Sequence, residues 1–296
     1  FRLVGDASVS SAFLCYCGPY NSTFREKIVE VCREDMKKRQ IPVTSDLHIS
    51  SFLVDENTAG EWNLQGLPKD DHSIQNGIMV TTTSRWPILV DPQGQGLAWL
   101  NNYEPRRPGE VLRVTQFTDK DFKQVLADAC REGWPLIIEN ISETMDPFMD
   151  PLLDRIVTRT GSLLQVVMGD KTSLDYDENF RLYMATKIAN PHFSPELCAK
   201  TTVIDFTVTR SGLEDQLLAC VIQKERKELE DQRDELMREI NANRKKKCDL
   251  EDELLSTLSN SDKPLLENEE LISVLSETKA TSVEVESNIA KANETA

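Results

Sequence analysis

Ile88-Leu89-Val90-Asp91-Pro92-Gln93-Gly94-Gln95-Gly96-Leu97-Ala98 is the stretch that decides the fold. An apolar strand runs into a Gly-rich turn and then a helix-compatible segment, which is the layout of a phosphate-binding loop. A working loop reads G-x-x-x-x-G-K-[ST]: backbone N–H groups cradle phosphate, the Lys holds the outer phosphates, and the hydroxyl holds Mg²⁺. Against that pattern Asp91 stands at the first Gly and Gly96 matches the second. Leu97 replaces the Lys and Ala98 the hydroxyl. A positive charge about 4 Å from phosphate is worth about 4 kcal/mol at an effective dielectric of ~20, and Leu97 removes it. Asp91 adds a repulsion of like size if it points inward. The helix start still offers N–H donors, which leaves room for ADP or ATP as a weakly bound structural ligand. The alternative reading of Gly94 and Gly96 is an ordinary turn.

About forty residues on, Trp134-Pro135-Leu136-Ile137-Ile138-Glu139-Asn140 has the form of a Walker B strand. In a working site its two polar residues are an Asp that supports Mg²⁺ and a Glu that activates water. Glu139 keeps a carboxylate, but Asn140 cannot act as a base, because its amide has no titratable proton near neutral pH. Both halves of a nucleotide site are drawn in outline and disabled in chemistry, so the segment reads as a pseudo-ATPase with no catalytic residue, no metal and no required cofactor.

Short apolar runs alternate with helical spacing around these motifs. Ile78–Val80, Ile88–Val90, Val111–Phe117, Leu136–Ile138, Leu163–Met168, Arg181–Ala185 and Val203–Thr209 are predicted strands. Phe24–Lys38, Asp119–Arg131 and Pro147–Thr160 are predicted helices, the second capped at Thr118-Asp119. The alternation implies an α/β domain with a mostly parallel sheet and flanking helices, placed over residues 1–210. Downstream of Ser211 the chain is Glu/Lys/Leu-rich, without aromatics, and its only Gly and Pro are Gly212 and Pro264. Leu229, Leu236, Ile240, Leu250 and Leu254 form a heptad-like seam interrupted by Arg233, Asn243 and Lys247. Asn260-Ser261-Asp262-Lys263-Pro264 breaks it, and Leu271, Leu275, Thr278, Val285, Ile289 and Ala292 resume a stripe. Residues 211–296 are therefore predicted to form a long antiparallel helical hairpin whose outgoing arm spans about 70 Å.

The 296 residues carry 34 basic and 50 acidic side chains, a formal charge of -16. That surplus argues against nucleic acid and against anionic membrane surfaces as partners. No apolar run reaches the ~20 residues of a membrane span. A start at Phe1, not Met, suggests a piece of a longer chain. The seven Cys make no metal-binding spacing and are expected to be reduced thiols of a cytosolic compartment, with Cys15 and Cys17 buried. Asp146, Asp150 and Asp154 read as helix starts ahead of a hard-cation site. His48, His72 and His192 belong to no catalytic grouping. Lys245-Lys246-Lys247 after Arg244 reads as a solvated face, with an acidic docking partner as the minority alternative.

Taken together, many spaced motifs resemble the fifth AAA+ module of a dynein heavy chain. They include Trp62–Pro68, Asn76-Gly77-Ile78, Arg85-Trp86-Pro87, Val90–Gln95, Ile138-Glu139-Asn140, Asp146-Pro147, Thr186-Lys187, Asn190–Phe193 and Gly212–Leu218. The resemblance implies one module of a six-module ring that has lost hydrolysis. It also implies a coiled-coil buttress, supplied by residues 211–296, that braces the base of the microtubule-binding stalk. Implied partners are the neighbouring AAA+ modules and the stalk base of the same heavy chain, other dynein subunits and, indirectly, the microtubule. The implied setting is cytoskeletal, in a cilium or flagellum axoneme. By the same resemblance Thr186 is sensor-like, and Lys200, Arg155 and Arg159 are candidates for contact with the adjacent module's nucleotide. The remaining readings are a regulatory module holding a structural nucleotide and a plain coiled-coil scaffold.

Overall fold

The computed structural model describes residues 3–225, apart from Asp46, 105–108 and 161–162; beyond these it describes scattered residues within 235–256 and Lys279. Packing divides the chain into two units, residues 1–54 with 65–213 and residues 55–64 with 214–296. The elements in order are α1 (Leu3–Tyr16), α2 (Ser22–Lys38), α3 (Ile49–Leu53), α4 (Glu56–Leu64), α5 (Asp71–Thr82), β1 (Trp86–Val90), α6 (Gln95–Tyr103) and β2 (Arg113–Gln116). There follow α7 (Phe122–Glu132), β3 (Pro135–Glu139), a single 3₁₀ turn at Pro147–Met149, α8 (Asp150–Leu153), β4 (Val157–Thr160) and β5 (Leu163–Val167). The series ends with β6 (Ser173–Asp175), β7 (Arg181–Thr186), α9 (Pro195–Lys200), β8 (Thr201–Asp205) and α10 (Arg210–Glu225).

The first unit is built on a parallel five-stranded sheet in the order β2-β3-β7-β1-β8. Period-2 alternation explains why it is covered on both faces. Trp86 and Ile88 of β1, Leu136 and Ile138 of β3, and Leu182 and Met184 of β7 share one core with Leu126 of α7 and Leu152 of α8. The intervening Leu89, Ile137, Tyr183 and Ala185 are equally buried, on the other face. There Tyr183 Oη donates to Glu104 Oε1 at the end of α6 (2.7 Å). A second, antiparallel sheet, β4-β5-β6, is inserted between α8 and β7. The mostly parallel sheet with flanking helices matches the expected architecture.

Several local expectations are corrected. Ile78–Val80 lies inside α5, where an apolar triplet is buried in a helix and not in a strand. Asp70 caps that helix, its carboxylate accepting the Ser73 N–H (3.1 Å) and hydroxyl (2.9 Å). The predicted helix over Pro147–Thr160 stops at Leu153, and its remainder becomes β4. Asp119 does not cap α7. Its carboxylate turns back to the Gln116 N–H (2.9 Å), and Asp121 occupies the N-cap without a side-chain bond. β8 runs Thr201–Asp205, two residues earlier than expected and without the Phe206–Thr209 extension. Cys17 is buried, as expected, but Cys15 is exposed.

In the second unit, α10 presents Leu213, Leu217 and Val221 at 48%, 58% and 52% exposure, an i, i+4, i+8 stripe. Leu213 itself closes the first unit. Every described residue beyond Glu225 is helical. The predicted turn at Asn260–Pro264 lies outside the described residues, as does the return arm apart from Lys279. No described helix is long and apolar enough to cross a membrane.

Candidate functional site

Register brings the candidate residues together at the carboxyl edge of the sheet. Val90 of β1 lies level with Thr186 of β7, whose other neighbour is β3. Asp91, Thr186 and Glu139-Asn140 therefore end three adjacent strands, spaced about 5 Å apart. This is where an open parallel sheet offers a ligand crevice.

The loop from Asp91 to Ala98 folds as a tight turn into α6. Gly94 has φ of 78°, a left-handed conformation that favours glycine at the turn, and it leads directly into the helix. Gly96 is glycine for a different reason: a Cβ there would stand 2.9 Å from Leu89 Cδ2 and 3.0 Å from Phe206 Cδ1. Leu97 is buried, so the residue at the Lys position packs inward, and Ala98 is exposed without a hydroxyl to offer. Pro92, Gln93 and Gln95 complete the turn at its solvent side.

Asp91 determines what the loop can do. Its side chain is fully buried, with Oδ1 accepting the Gln95 N–H (2.9 Å) and Oδ2 the Leu97 N–H (3.0 Å). Burial raises its carboxyl above the ordinary carboxylate range, opposed by the N–H groups of Leu97, Gln95, Gly94 and Gly96. The donors that a phosphate would need are thus engaged by the protein itself.

The other two arms are closed in the same way. Thr186, 1% exposed, donates its hydroxyl to the Ile141 carbonyl (2.9 Å), while the Asp91 N–H bonds the Thr186 carbonyl (2.9 Å). Asn140 is exposed with φ of 54°, a left-handed position that Asn tolerates well. Its identity therefore has a backbone reason. Glu139 is half-buried at the end of β3.

The three cations proposed to reach a neighbour behave differently. Lys200 Nζ lies 2.9 Å from Asp150, 3.2 Å from Glu196 and 3.6 Å from Asp154. Its hydrogen bond to Asp150 heads the influences that raise its ammonium above the ordinary lysine value. The same ion cluster accounts for two of the three aspartates singled out in the sequence. The third, Asp146, caps the 3₁₀ turn by accepting the Phe148 N–H (2.9 Å). Arg155, with φ of 52°, lays its guanidinium on the buried Trp86 ring, 3.9 Å from the centroid. Arg159 is exposed on β4. The structure thus separates Lys200, Arg155 and Arg159 from the loop's own contacts.

Sequence reasoning missed a buried cation beside this edge. Arg25 of α2, 1% exposed, donates to the carbonyls of Cys17 (3.0 Å), Gly18 (2.9 Å) and Tyr20 (2.8 Å), and to Asn76 Oδ1 (2.7 Å). Asn76 Nδ2 and His72 Nε2 both meet the Asp205 carbonyl at the end of β8 (2.7 and 3.2 Å). Burial lowers the Arg25 pKa to about 10. The only available signal was an Arg in an otherwise apolar stripe of α2. A separate cleft of about 700 Å³ lies between Phe117, Phe122, Phe148, Lys120, Lys123 and Asp170, and none of the candidate residues lines it.

Comparison with known proteins agrees with this geometry. Residues 60–285 match the family described as the ATP-binding dynein motor region. The chain is 51% identical over 298 residues to the dynein gamma chain of the flagellar outer arm from Chlamydomonas reinhardtii. It is 45% identical over 294 residues to dynein axonemal heavy chain 5 of Mus musculus, and 40% identical over 295 residues to the Chlamydomonas reinhardtii outer-arm beta chain. Each alignment covers 99% of this chain but only 6% of the relative. A parallel sheet ending in a phosphate-loop outline, matched by this family over most of its length, places the chain in the ATP-binding dynein motor region family.

Proposed function

We propose that the chain is the fifth, non-hydrolysing AAA+ module of a dynein heavy chain, working in a ciliary or flagellar axoneme. The observation that carries the non-hydrolysing reading is Asp91: an internal carboxylate holds the Gln95 and Leu97 N–H groups, and the Lys and water-activating positions hold Leu97 and Asn140. The names of the relatives support the axonemal setting.

In this reading the module is a mechanical relay. ATP turnover elsewhere in the ring moves the first unit as a rigid body, and the hairpin of residues 211–296 pushes or pulls on the stalk that binds the microtubule. The exposed stripe Leu213, Leu217 and Val221 supports a helix that needs a packing partner along its length. A relay of this kind needs discrete packed states, which a close-packed core favours over gradual deformation. The regulatory reading, with a structural nucleotide in the loop, gains no support from a cradle whose donors are already bonded.

The test is made in the parent motor, by trimming the hairpin around Asn260–Pro264 and comparing microtubule affinity with and without ATP. Retained ATP turnover with an affinity that no longer responds is the expected result. An intact affinity switch overturns the relay.

A further inference from the structure

We infer that Asp91 is a resident anion, whose carboxylate permanently takes the place that a nucleotide's phosphate would occupy and closes the loop to nucleotide. The inference rests on reading Asp91–Ala98 as a degenerate phosphate loop. Four N–H groups at a helix start have no partner within the helix. In this loop two of them, on Gln95 and Leu97, bind the two oxygens of one fully buried carboxylate at 2.9 and 3.0 Å. A carboxylate presents two splayed acceptor oxygens much as one edge of a phosphate does, so it satisfies the same donors with charge-assisted bonds. An incoming phosphate has to displace this group, or lie against a buried like charge that it leaves unpaired.

A second set of bonds locks the filled loop to the rest of the site. The Asp91 N–H bonds the Thr186 carbonyl (2.9 Å) and the Ile141 N–H bonds the Ala185 carbonyl (3.0 Å). The Thr186 hydroxyl bonds the Ile141 carbonyl (2.9 Å). The loop, the sensor-like strand end and the end of β3 are therefore joined directly, with no ligand between them. The module holds one geometry whatever the nucleotide concentration.

The experiment uses the full chain with wild-type, Asp91→Gly and Asp91→Asn sequences, and pyrophosphate and ADP as probes. Thermal unfolding and amide hydrogen exchange are read together. Wild-type Tm is expected to stay unmoved by either probe. Asp91→Gly is expected to unfold at lower temperature, with Gln95 and Leu97 exchanging about tenfold faster or more, as loss of a charge-assisted bond implies. Pyrophosphate should then raise its Tm saturably and slow both amides. A saturable shift in wild type overturns the inference. So does a variant that exchanges at the wild-type rate. Faster exchange with no response to pyrophosphate reduces Asp91 to a helix cap, and overturns it equally. If Asp91→Gly does not fold, Asp91→Asn keeps the volume and loses the charge; unchanged exchange at both amides then decides against the inference. None of these readings involves the hairpin, so the relay can fail while Asp91 stands, and the reverse.

Discussion

His72 shows how a single buried ring ties stability to pH. Burial and the Arg25 guanidinium hold it below its ordinary 6.5, at about 4, against the opposing pull of Asp205 and Asp70. The Asp205 carbonyl can only accept, so Nε2 carries the proton, and Nδ1 is buried without a hydrogen-bond partner among the described residues. A base depressed in the folded state binds its proton more weakly there than in the unfolded chain. Its contribution is therefore fully present above the unfolded value and is lost as pH falls towards about 4, by up to about 3 kcal/mol. His72→Gln should flatten the dependence of urea unfolding on pH in that window. Parallel curves for the two proteins would count against this account. The sequence showed only that His72 has no catalytic grouping; its neighbours Arg25 and Asp205 come from elements 47 and 133 residues away and leave no local trace.

At the scale of elements, the turn between α1 and α2 is held against β8 by close backbone approach. A Cβ on Gly18 would stand 2.2 Å from the Val203 carbonyl oxygen. Gly18→Ala must push the turn away, stretching the Asp205 N–H bond to the Gly18 carbonyl (3.0 Å) and the Arg25 bond to the same oxygen (2.9 Å). A loss of about 3 kcal/mol is expected in denaturant unfolding, at the upper end for overpacking. A loss under about 1 kcal/mol would mean that the turn relaxes freely. The strands of the main sheet were legible because each is a short apolar run bounded by turn residues. Ile78–Val80 failed for the same reason, since a triplet buried on all sides has no period, although Asp70 with Ser73 was a usable cap signal. β4 and β6 were missed because they are short, polar and half-exposed. Of the site, the replaced Lys, hydroxyl and base could be read directly. The inward turn of Asp91 and the neutralisation of Lys200 could not, because each depends on a backbone path or an ion cluster that only the fold assembles.

For the whole molecule, the match to the motor-region family begins at residue 60, yet the first unit also includes residues 1–54. The helices before that boundary supply the Arg25 side chain that fills a polar hole beneath α5, and the Gly18 carbonyl that occupies a backbone donor on the outer strand β8. A polypeptide expressed from residue 60 onward loses both. Asn76 loses its cation, the Asp205 N–H loses its acceptor, and a strand edge is uncovered, which is a template for association. Such a shortened polypeptide is expected to aggregate at concentrations where the full chain stays monodisperse, as gel filtration with light scattering would reveal. Equal behaviour of the two would mean that the leading helices are ornamental. The sequence boundary of a homologous family and the physical boundary of a folding unit are different objects, and a carbonyl 42 residues upstream of the match is what separates them here.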